Sequence, residues 1–571
     1  MGSNDIKETT RKFALQNAVS FDGKAELKAV MGKVIANFKK KGVHPKEVIP
    51  IVKSVVNEVN ALSLDDQRAE LMETAPELLE KKKQQRDYSL PDLPHAEPGK
   101  VITRFPPEPN GFLHIGHAKA AIVDFEYAKK YDGQFILRFD DTNPLKDKLE
   151  FYDAQKEDLR WLGLVWDKSY HTSDNLNIHY ELAEQLIAQQ DAYVCTCSAE
   201  RIKQGRREKK ACDCSKRAVE EQCSLWEKMH ENHFSSVLRL YADMKSDNTA
   251  MRDPTLFRII EASHPIKGDQ FHVWPTYDFA GAVEDSLSGV THPFRTKEYE
   301  LRDEVYFYLL DKLGLRKPDL MEFARLSIDG MPVSKRKITP LVQDGQVSGY
   351  DDIRLPTLRG LRRRGIVPEA LKQFVLKQGI SKVESTVPFS LVESENRKII
   401  DPTAKRFFFV PNPVQLKVSD VKPQEVSIPF HPRDESLGSR IVQTSDMFFI
   451  PQRDATDLQP DDIIRLKDLF NVRIKNKNEH PIIGSYAGKE LIAESLKIQW
   501  APEHGIAVTV QVPDTLYRDD VFNKNSLQKI SGIAEPALRF VKQGEIVQFE
   551  RFGFVRIEKK EDKIIGFFAH K

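Results

Sequence analysis

The chain has 571 residues, 40% of them hydrophobic and 30% charged, with a formal net charge of +1. That length predicts several domains with full-sized cores, and the near-neutral balance excludes a globally basic nucleic-acid binder, so any such surface must be a local patch. No apolar run is long enough to span a membrane, the start MGSNDIKETTRKF lacks an apolar signal core, Ile6 breaks a myristoylation pattern, and five cysteines, four in tight pairs, argue against a secreted disulfide framework; a cytoplasmic enzyme is expected.

Residues 1 to about 82 read as helical. Val48, Ile49, Val52, Val55, Val56 and Val59 recur at helix spacing, and Ser63 with Asp66 resembles a capping box. No cluster of catalytic residue types lies there, so a small bundle for docking or stability is expected. Lys81–Arg86, followed by Pro91, Pro94 and Pro98, reads as a charged linker. Val101–Phe105 is short, apolar and partly β-branched, which predicts a buried strand. Ala118, Ala121, Val123, Phe125 and Ala128 predict a helix ending near Gly133, and Phe135–Phe139 predicts the next strand. The loop inside this βαβ unit carries PPEPNG (106–111) and HIGH (114–117). A helix N-terminus favours phosphate, Gly111 and Gly116 permit close backbone approach, and His114 and His117 offer ring N–H donors. The loop is neither a Lys-bearing phosphate loop nor a GxGxxG turn. For an isolated pair of histidines, simple helix capping is the alternative.

Further helices are expected over Tyr152–Leu164, with Leu159, Trp161 and Leu162 towards the core, and over Ile178–Gln190. Asp140 and Asp141 sit at a strand end, where α/β sheets bind ligands. Cys195, Cys197, Cys212 and Cys214 form two C-x-C pairs fourteen residues apart. Four thiolates satisfy tetrahedral zinc and leave no open position, so the predicted Zn²⁺ is structural. The metal would stiffen the bracketed basic stretch Lys203–Lys210, and Cys223 is left as a core thiol. Arg359, Arg362 and Arg363 fall at i, i+3 and i+4, one helical face suited to phosphates. From about 404 the pattern turns to alternating strands: Gln415–Val421, Ile441–Ile450, Ile463–Ile474, Ile506–Val512, and a final pair, Val547–Ile557 and Lys563–Ala569, around a Lys-Glu-Asp turn. One or two small β-barrels are expected.

RFPPEPNGFLHIGHAKAA followed by LRFDDTNP resembles the first half of the class I aminoacyl-tRNA synthetase domain, in the glutamyl/glutaminyl subgroup. The resemblance runs over most of the chain from about residue 98. It implies an α/β Rossmann-like catalytic fold in two halves (98–174 and 277–326) around an inserted acceptor-stem-binding domain (175–276). A helical stem-contact domain (327–403) and an anticodon-binding β-barrel region (404–571) follow. Residues 1–97 resemble the N-terminal helical appendage and linker of the archaeal/eukaryotic members, which suggests a protein partner. Pro332-Val333-Ser334-Lys335-Arg336 is similar to the family's second catalytic loop, with Pro332 replacing its first lysine.

By this resemblance, His114, His117 and Lys335 are catalytic. ATP would be held by Glu108, Pro109, Asn110, His114, Gly116, His117, Thr296, Arg325, Leu326, Val333, Ser334 and Lys335, with Mg²⁺ neutralising the phosphates. Glutamate would meet Arg104, Asp140, Tyr277 and Arg295, while Asp141 and Trp274 are read as structural. Arg295 stands where glutaminyl members carry a small or neutral residue, and a guanidinium pairs with a γ-carboxylate but not with a γ-amide; its alternative is a surface pair with Glu298 or another acid. The implied reaction is ATP-dependent activation of glutamate and transfer to tRNA(Glu), with tRNA(Gln) as a further acceptor to be tested. A glutaminyl member is the nearest alternative, since PPEPNG resembles that form at least as well. A truncated relative acting on a modified base should lack the β-rich tail, and intact His114, His117 and Lys335 argue against a non-catalytic tRNA-binding scaffold.

Overall fold

The structure, a computed structural model, describes residues 3–20, 23–39, 45–75, 90–231, 235–493, 495–560 and 563–571. They belong to two compact units, 1–88 and 89–571. The charged linker Lys81–Arg86 and residues 561–562 of the expected last turn lie outside the described residues. Among the described residues no helix is long and apolar enough to cross a membrane.

The first unit holds four helices, Ser3–Ser20, Leu27–Lys39, Pro45–Asn60 and Leu64–Thr74. The valine stripe of the third helix is buried, whereas Ile49 lies off it and is 37% exposed. Ser63 caps the fourth helix by accepting the Asp66 N–H at 3.2 Å. Gln67, fully buried, donates to the carbonyls of Gly23, Val59 and Leu62 and so ties two interhelical turns together.

In the second unit, strands Ile102–Phe105, Gln134–Phe139 and Lys168–His171 form a parallel sheet in that order. The helix Ile115–Lys130 crosses between the first two, giving the expected βαβ unit. On the far side of the first strand, the N–H groups of Thr291 and His292 donate to the Ile102 carbonyl. They lead into Phe294–Thr296, which pairs parallel with Met321–Phe323. The two halves of the fold thus meet edge to edge. Phe105, Ile122, Phe135 and Leu137 share one core with Leu358, Leu361 and Phe374 of later helices. Leu149–Trp161 and Leu176–Ala188 are the next helices, each beginning two or three residues ahead of the sequence reading.

The inserted segment builds an antiparallel sheet from Ala192–Cys195, Val237–Leu240, Thr255–Ile259 and Val273–Pro275. Its core (Trp226, Leu238, Phe257) is continuous with Phe279, Val283, Leu309 and Leu310 of the following helices. Trp274 is fully buried. Cys223, expected in the core, is exposed on the helix Val219–His230, because that helix buries Gln222, Trp226 and Met229 instead.

Two seven-stranded sheets, with two two-stranded ones beside them, make up the described C-terminal region. Arg406–Phe407 and Phe409–Pro411 form opposite edges of one of them, so a single short segment nearly closes that sheet on itself. The other sheet is inserted between Pro411 and Ile506. Three runs expected as single strands are broken: Ile463–Leu466 with Asn471–Asn476 and Ile546–Phe549 with Gly553–Lys560 are hairpins, whereas Ser439–Thr444 pairs with Gln424–Pro429 and Met447–Pro451 pairs with Pro413–Ser419 in a different sheet. Ser445, Asp468 and Arg551 mark these breaks, and both Asp468 and Arg551 have positive φ.

Gly133 marks the closest approach inside the nucleotide-fold half. A Cβ there would stand 2.0 Å from the Val101 carbonyl oxygen, a backbone atom that cannot move away. Gly133→Ala should therefore destabilise the second unit by about 2 kcal/mol or more. Denaturant unfolding would read this as a lowered midpoint at unchanged slope.

Candidate active site

The loop after the first strand and the loop before Lys335 face each other at the C-terminal ends of the parallel strands. His114 is the N-cap of Ile115–Lys130, and its Nδ1 accepts the Gly116 N–H at 3.1 Å. The His114 N–H donates in turn to His117 Nδ1 at 3.2 Å, and the two rings stack at 3.8 Å. Capping and ligand binding are therefore not alternatives here. Engaging both Nδ1 atoms as acceptors fixes the Nε2–H tautomer, which leaves two parallel donors at the helix mouth. Burial, together with His117 and the Arg325 guanidinium, pulls His114 well below the usual histidine range. Burial and Arg325 bring His117 down to about 4. Both rings are neutral donors, not cations.

Lys335 begins the helix Lys335–Gln343 after Ser334 as N-cap, and its ammonium donates to the Asn110 carbonyl. Gly111 lies directly beneath the lysine stem, and Gly116 lies under Val333. Arg325 spans the gap from the opposite side, donating to the Val333 carbonyl and to Glu298 at 3.1 Å each. Glu298 is thus the partner of Arg325 and not of Arg295. Burial and Asp140 push the Glu108 carboxyl up, and its side chain accepts from Asn110. Pro109 presents its carbonyl to the Lys148 N–H, so it serves the loop's own shape. Thr296 ends its strand beside Phe323, and Leu326 opens the next strand, both flanking Arg325. A cavity of about 930 Å³ is lined by Arg325, Val333, Lys335 and Tyr517.

Beside these loops lies a buried charge network. Arg104 donates from Nε and Nη2 to the two oxygens of Asp285 (2.9 and 3.2 Å) and from Nη1 to the Phe294 carbonyl (2.7 Å). Arg138 donates to Asp285 at 2.7 Å and to Asp140 at 2.8 Å, while Tyr306 donates to Asp285 at 3.0 Å. The two guanidiniums hold the Asp285 carboxyl low against its burial. Asp140 uses one oxygen for both Arg138 and Thr172, and its other oxygen has no partner among the described residues. Asp141 is buried and accepts from Ser173 and Tyr152, a structural role.

Arg295 is 6% exposed, pairs with Asp303, and lies 5.2 Å from the Tyr306 ring. Its Nε finds no acceptor among the described residues. Tyr277, tilted against Tyr299 at 4.8 Å, closes the same side. The pocket floor is therefore a set of balanced ion pairs and not the bare cationic surface that Arg104 and Arg295 suggest in sequence. Asp285, Arg138, Asp303 and Tyr306 were missed. The only local signal was Arg138 in LRFDD, two residues before Asp140 on the opposite flank of Phe139.

The arginine face carries intramolecular ion pairs. Arg359 and Arg362 both pair with Glu157 at 3.2 Å, and Arg363 pairs with Asp351 and faces Glu558 and Phe567 of the C-terminal sheet. In this structure these side chains join elements of the fold while remaining partly exposed.

The four cysteines do converge. Cys195 and Cys212 sulfurs are 3.7 Å apart and Cys197 and Cys214 sulfurs 3.8 Å, with all four within 4.8 Å of one another. A tetrahedron with metal–sulfur bonds of about 2.3 Å has edges of about 3.8 Å, so the set fits zinc. Arg239, buried, directs Nη1 at Cys195 and Cys212 and would offset the excess thiolate charge.

The chain matches the family model for the catalytic domain of class I tRNA synthetases (E and Q) over residues 100–402. It also matches the same family's two anti-codon binding domain models over 404–487 and 497–558. It belongs to the class I glutamyl/glutaminyl tRNA synthetase family. Within that family it is 43% identical to the glutamate–tRNA ligase of Nitrosopumilus maritimus, covering 99% of this chain and 100% of that protein. Identity to the glutamate–tRNA ligase of Cenarchaeum symbiosum is 42% and to that of Pyrococcus furiosus 40%, each covering 99% of this chain and 100% of the other. The family models begin at residue 100, whereas the alignments with these relatives extend over the N-terminal segment as well.

The neutral histidines give a pH prediction. The unfolded chain binds protons more readily than the folded one between 6.5 and about 4, so stability should fall as pH drops through that window. Above 6.5 the pair should add no pH dependence. Side-chain NMR should show Nε2–H tautomers for both rings and no titration near 6.5. The thiolate cluster gives another: purified protein should carry about one zinc per chain, and Cys212→Ser should lose it, read by elemental analysis.

Proposed function

We propose that this chain is an ATP-dependent glutamate–tRNA ligase. The observation that carries the reading is the buried Arg295 beside Tyr277, at the edge of a site closed by two loops, in a chain that aligns end to end with glutamate–tRNA ligases. A guanidinium with an unengaged N–H in a low-dielectric environment recognises a side-chain carboxylate, whereas a glutamine amide brings one acceptor oxygen and no charge to offset the guanidinium. The free oxygen of Asp140 suits the substrate's α-ammonium group. The remaining N–H groups of Arg104 back the same pocket.

Activation is an in-line displacement. A glutamate carboxylate oxygen bonds to the α-phosphorus of ATP while the bond to the bridging oxygen breaks and pyrophosphate leaves. A terminal ribose hydroxyl of tRNA then attacks the adenylate carbonyl and AMP departs. The carboxylate is already a nucleophile, so positioning and charge stabilisation carry the first step. His114 and His117 donate Nε2–H to phosphate oxygens without adding charge. Lys335 follows the charge developing on the departing pyrophosphate, and the adenine lies along the backbone at Arg325 and Leu326. Mg²⁺ bound with ATP supplies further charge neutralisation. The C-terminal sheets take the anticodon, and zinc on the four cysteines holds the inserted finger.

Charging assays with purified tRNA(Glu) and tRNA(Gln), each with labelled glutamate and glutamine, test this directly. Glutamate on tRNA(Glu) is expected, glutamate on both tRNAs would mark a dual-specificity enzyme, and transfer of glutamine would overturn the reading. Lys335→Ala should slow adenylate formation by about 10²–10³-fold with tRNA affinity unchanged, as for loss of one transition-state donor. Arg295→Cys should raise the KM for glutamate by at least about tenfold. Retention of tight glutamate use would remove Arg295 from the specificity site.

A further inference from the structure

Lys119 is a buried charge with no part in the chemistry above. It stands two residues after His117 on the helix Ile115–Lys130, roughly 200° further round the axis, so the two side chains leave on opposite faces. Lys119 is 6% exposed, and burial alone brings its ammonium down to about 8. It makes no ion pair among the described residues. Its one hydrogen bond there runs from Nζ to the Ala324 carbonyl at 2.8 Å, and the Phe323 ring lies 5.2 Å away. An ammonium that gives up its hydration without a carboxylate in return is costly to keep. An apolar side chain would fill the same space without that cost.

The group it holds is a junction of the backbone. Ala324 lies between the strands Met321–Phe323 and Leu326–Ile328. Its N–H donates to the Ser381 carbonyl at 2.8 Å and its C=O accepts from Lys119, so both of its polar groups are tied. That C=O shares a rigid plane with the Arg325 N–H, which has no acceptor among the described residues. Pinning one end of the plane aims the other. Donation by a full charge also polarises the peptide and strengthens its N–H as a donor. The backbone here is a thin wall. Arg325 and Leu326 line both the cavity of about 930 Å³ at the catalytic loop and a smaller one of about 150 Å³ behind it, where Lys119 lies with Gln378, Ser381 and Ser385. No carboxylate lines the smaller cavity among the described residues.

We propose that Lys119 is a positioning residue for the adenine of ATP: from the far side of this wall it fixes the Ala324–Arg325 peptide, so that the backbone presents its open N–H to a ring nitrogen of the base. The inference rests on the reading above that lays adenine along Arg325 and Leu326. On its pairing edge adenine offers a ring-nitrogen acceptor where guanine carries an N–H of its own. A donor held firmly at that place therefore selects between the two purines, because guanine would leave two donors face to face. One helix then serves both ends of the nucleotide, with His114 and His117 at the phosphates and Lys119 behind the base.

The test compares equilibrium binding of ATP, GTP and inorganic tripolyphosphate to the wild-type chain and to Lys119→Met, Lys119→Gln and Lys119→Arg. In Lys119→Met, which keeps an unbranched stem and removes the charge, ATP should bind about tenfold more weakly, tripolyphosphate within about twofold of wild type, and the preference for ATP over GTP should shrink by about tenfold. Lys119→Gln, with a neutral donor, should fall between the two. Lys119→Arg should restore most of the ATP affinity. A purely structural role would weaken tripolyphosphate in step with ATP, because the same helix carries His114 and His117. That result, unchanged ATP binding, or failure of both Lys119→Met and Lys119→Gln to fold would overturn the proposal. A wild-type chain that binds GTP as tightly as ATP would instead remove the adenine placement on which it rests.

Discussion

The carboxylate of Asp285, clamped between Arg104 and Arg138, is the interaction on which the catalytic half depends. Arg104 stands on the first strand, Arg138 on the second, and Asp285 on a helix reached only after the whole inserted segment. The contacts span 181 and 147 residues of chain. Removing a carboxylate from between two buried guanidiniums would leave two desolvated charges facing each other, a loss that hydrophobic packing nearby cannot offset. The pair also explains why Asp140 is available to a ligand: Arg138 fixes one of its oxygens and orients the other. A stitch that joins the two halves of the fold thereby also sets the geometry of the pocket.

The second constraint is the closeness of the two loops. Lys335 reaches the Asn110 carbonyl because Gly111 has no side chain, and Val333 packs over Gly116 for the same reason. Arg325 then holds the Val333 carbonyl from the other side. Its charge also helps keep His114 and His117 unprotonated. One residue therefore fixes both the position of the mobile loop and the hydrogen-bonding state of the fixed one. A neutral imidazole pair can orient anionic oxygens without retaining them by net charge.

What was legible in the sequence was local. The βαβ unit, the imidazole turn, the paired cysteines and the alternating C-terminal strands are set by periodicity and by residues a few positions apart. Partners far apart were not legible. Arg359 and Arg362 look like a phosphate-binding face until Glu157, some 200 residues upstream, is brought beside them. Arg295 looks like an unpaired cation until the helix Asp303–Leu313 supplies Asp303 and Tyr306. The breaks between barrel strands were not legible because Ser445–Asp446 and Lys467–Leu469 carry no Gly or Pro, the usual turn signals. Cys223 was misassigned because helix Val219–His230 draws its buried stripe from Trp226 and Met229.

The discontinuous C-terminal sheet has a consequence for the catalytic loop. Strands Ile506–Pro513 and Leu527–Ala534 pair along eight residues, and the chain between them folds into a short hairpin, Tyr517–Arg518 with Val521–Phe522. The Tyr517 N–H donates to the Gly330 carbonyl at 3.2 Å, and Thr515 fills the space a side chain at Gly330 would need. Leu516 joins Ile338, Leu341 and Leu355 in one small core beneath the helix that begins at Lys335. Arg354 completes the joint by donating to Ser526 at 3.1 Å while held by Asp352. Lys335 therefore leaves a helix whose far side is packed by a β-sheet at the opposite end of the chain. The position of the Lys335 charge is therefore a property of both regions, and the loop before it cannot leave its resting position without repacking Leu516 or releasing Gly330.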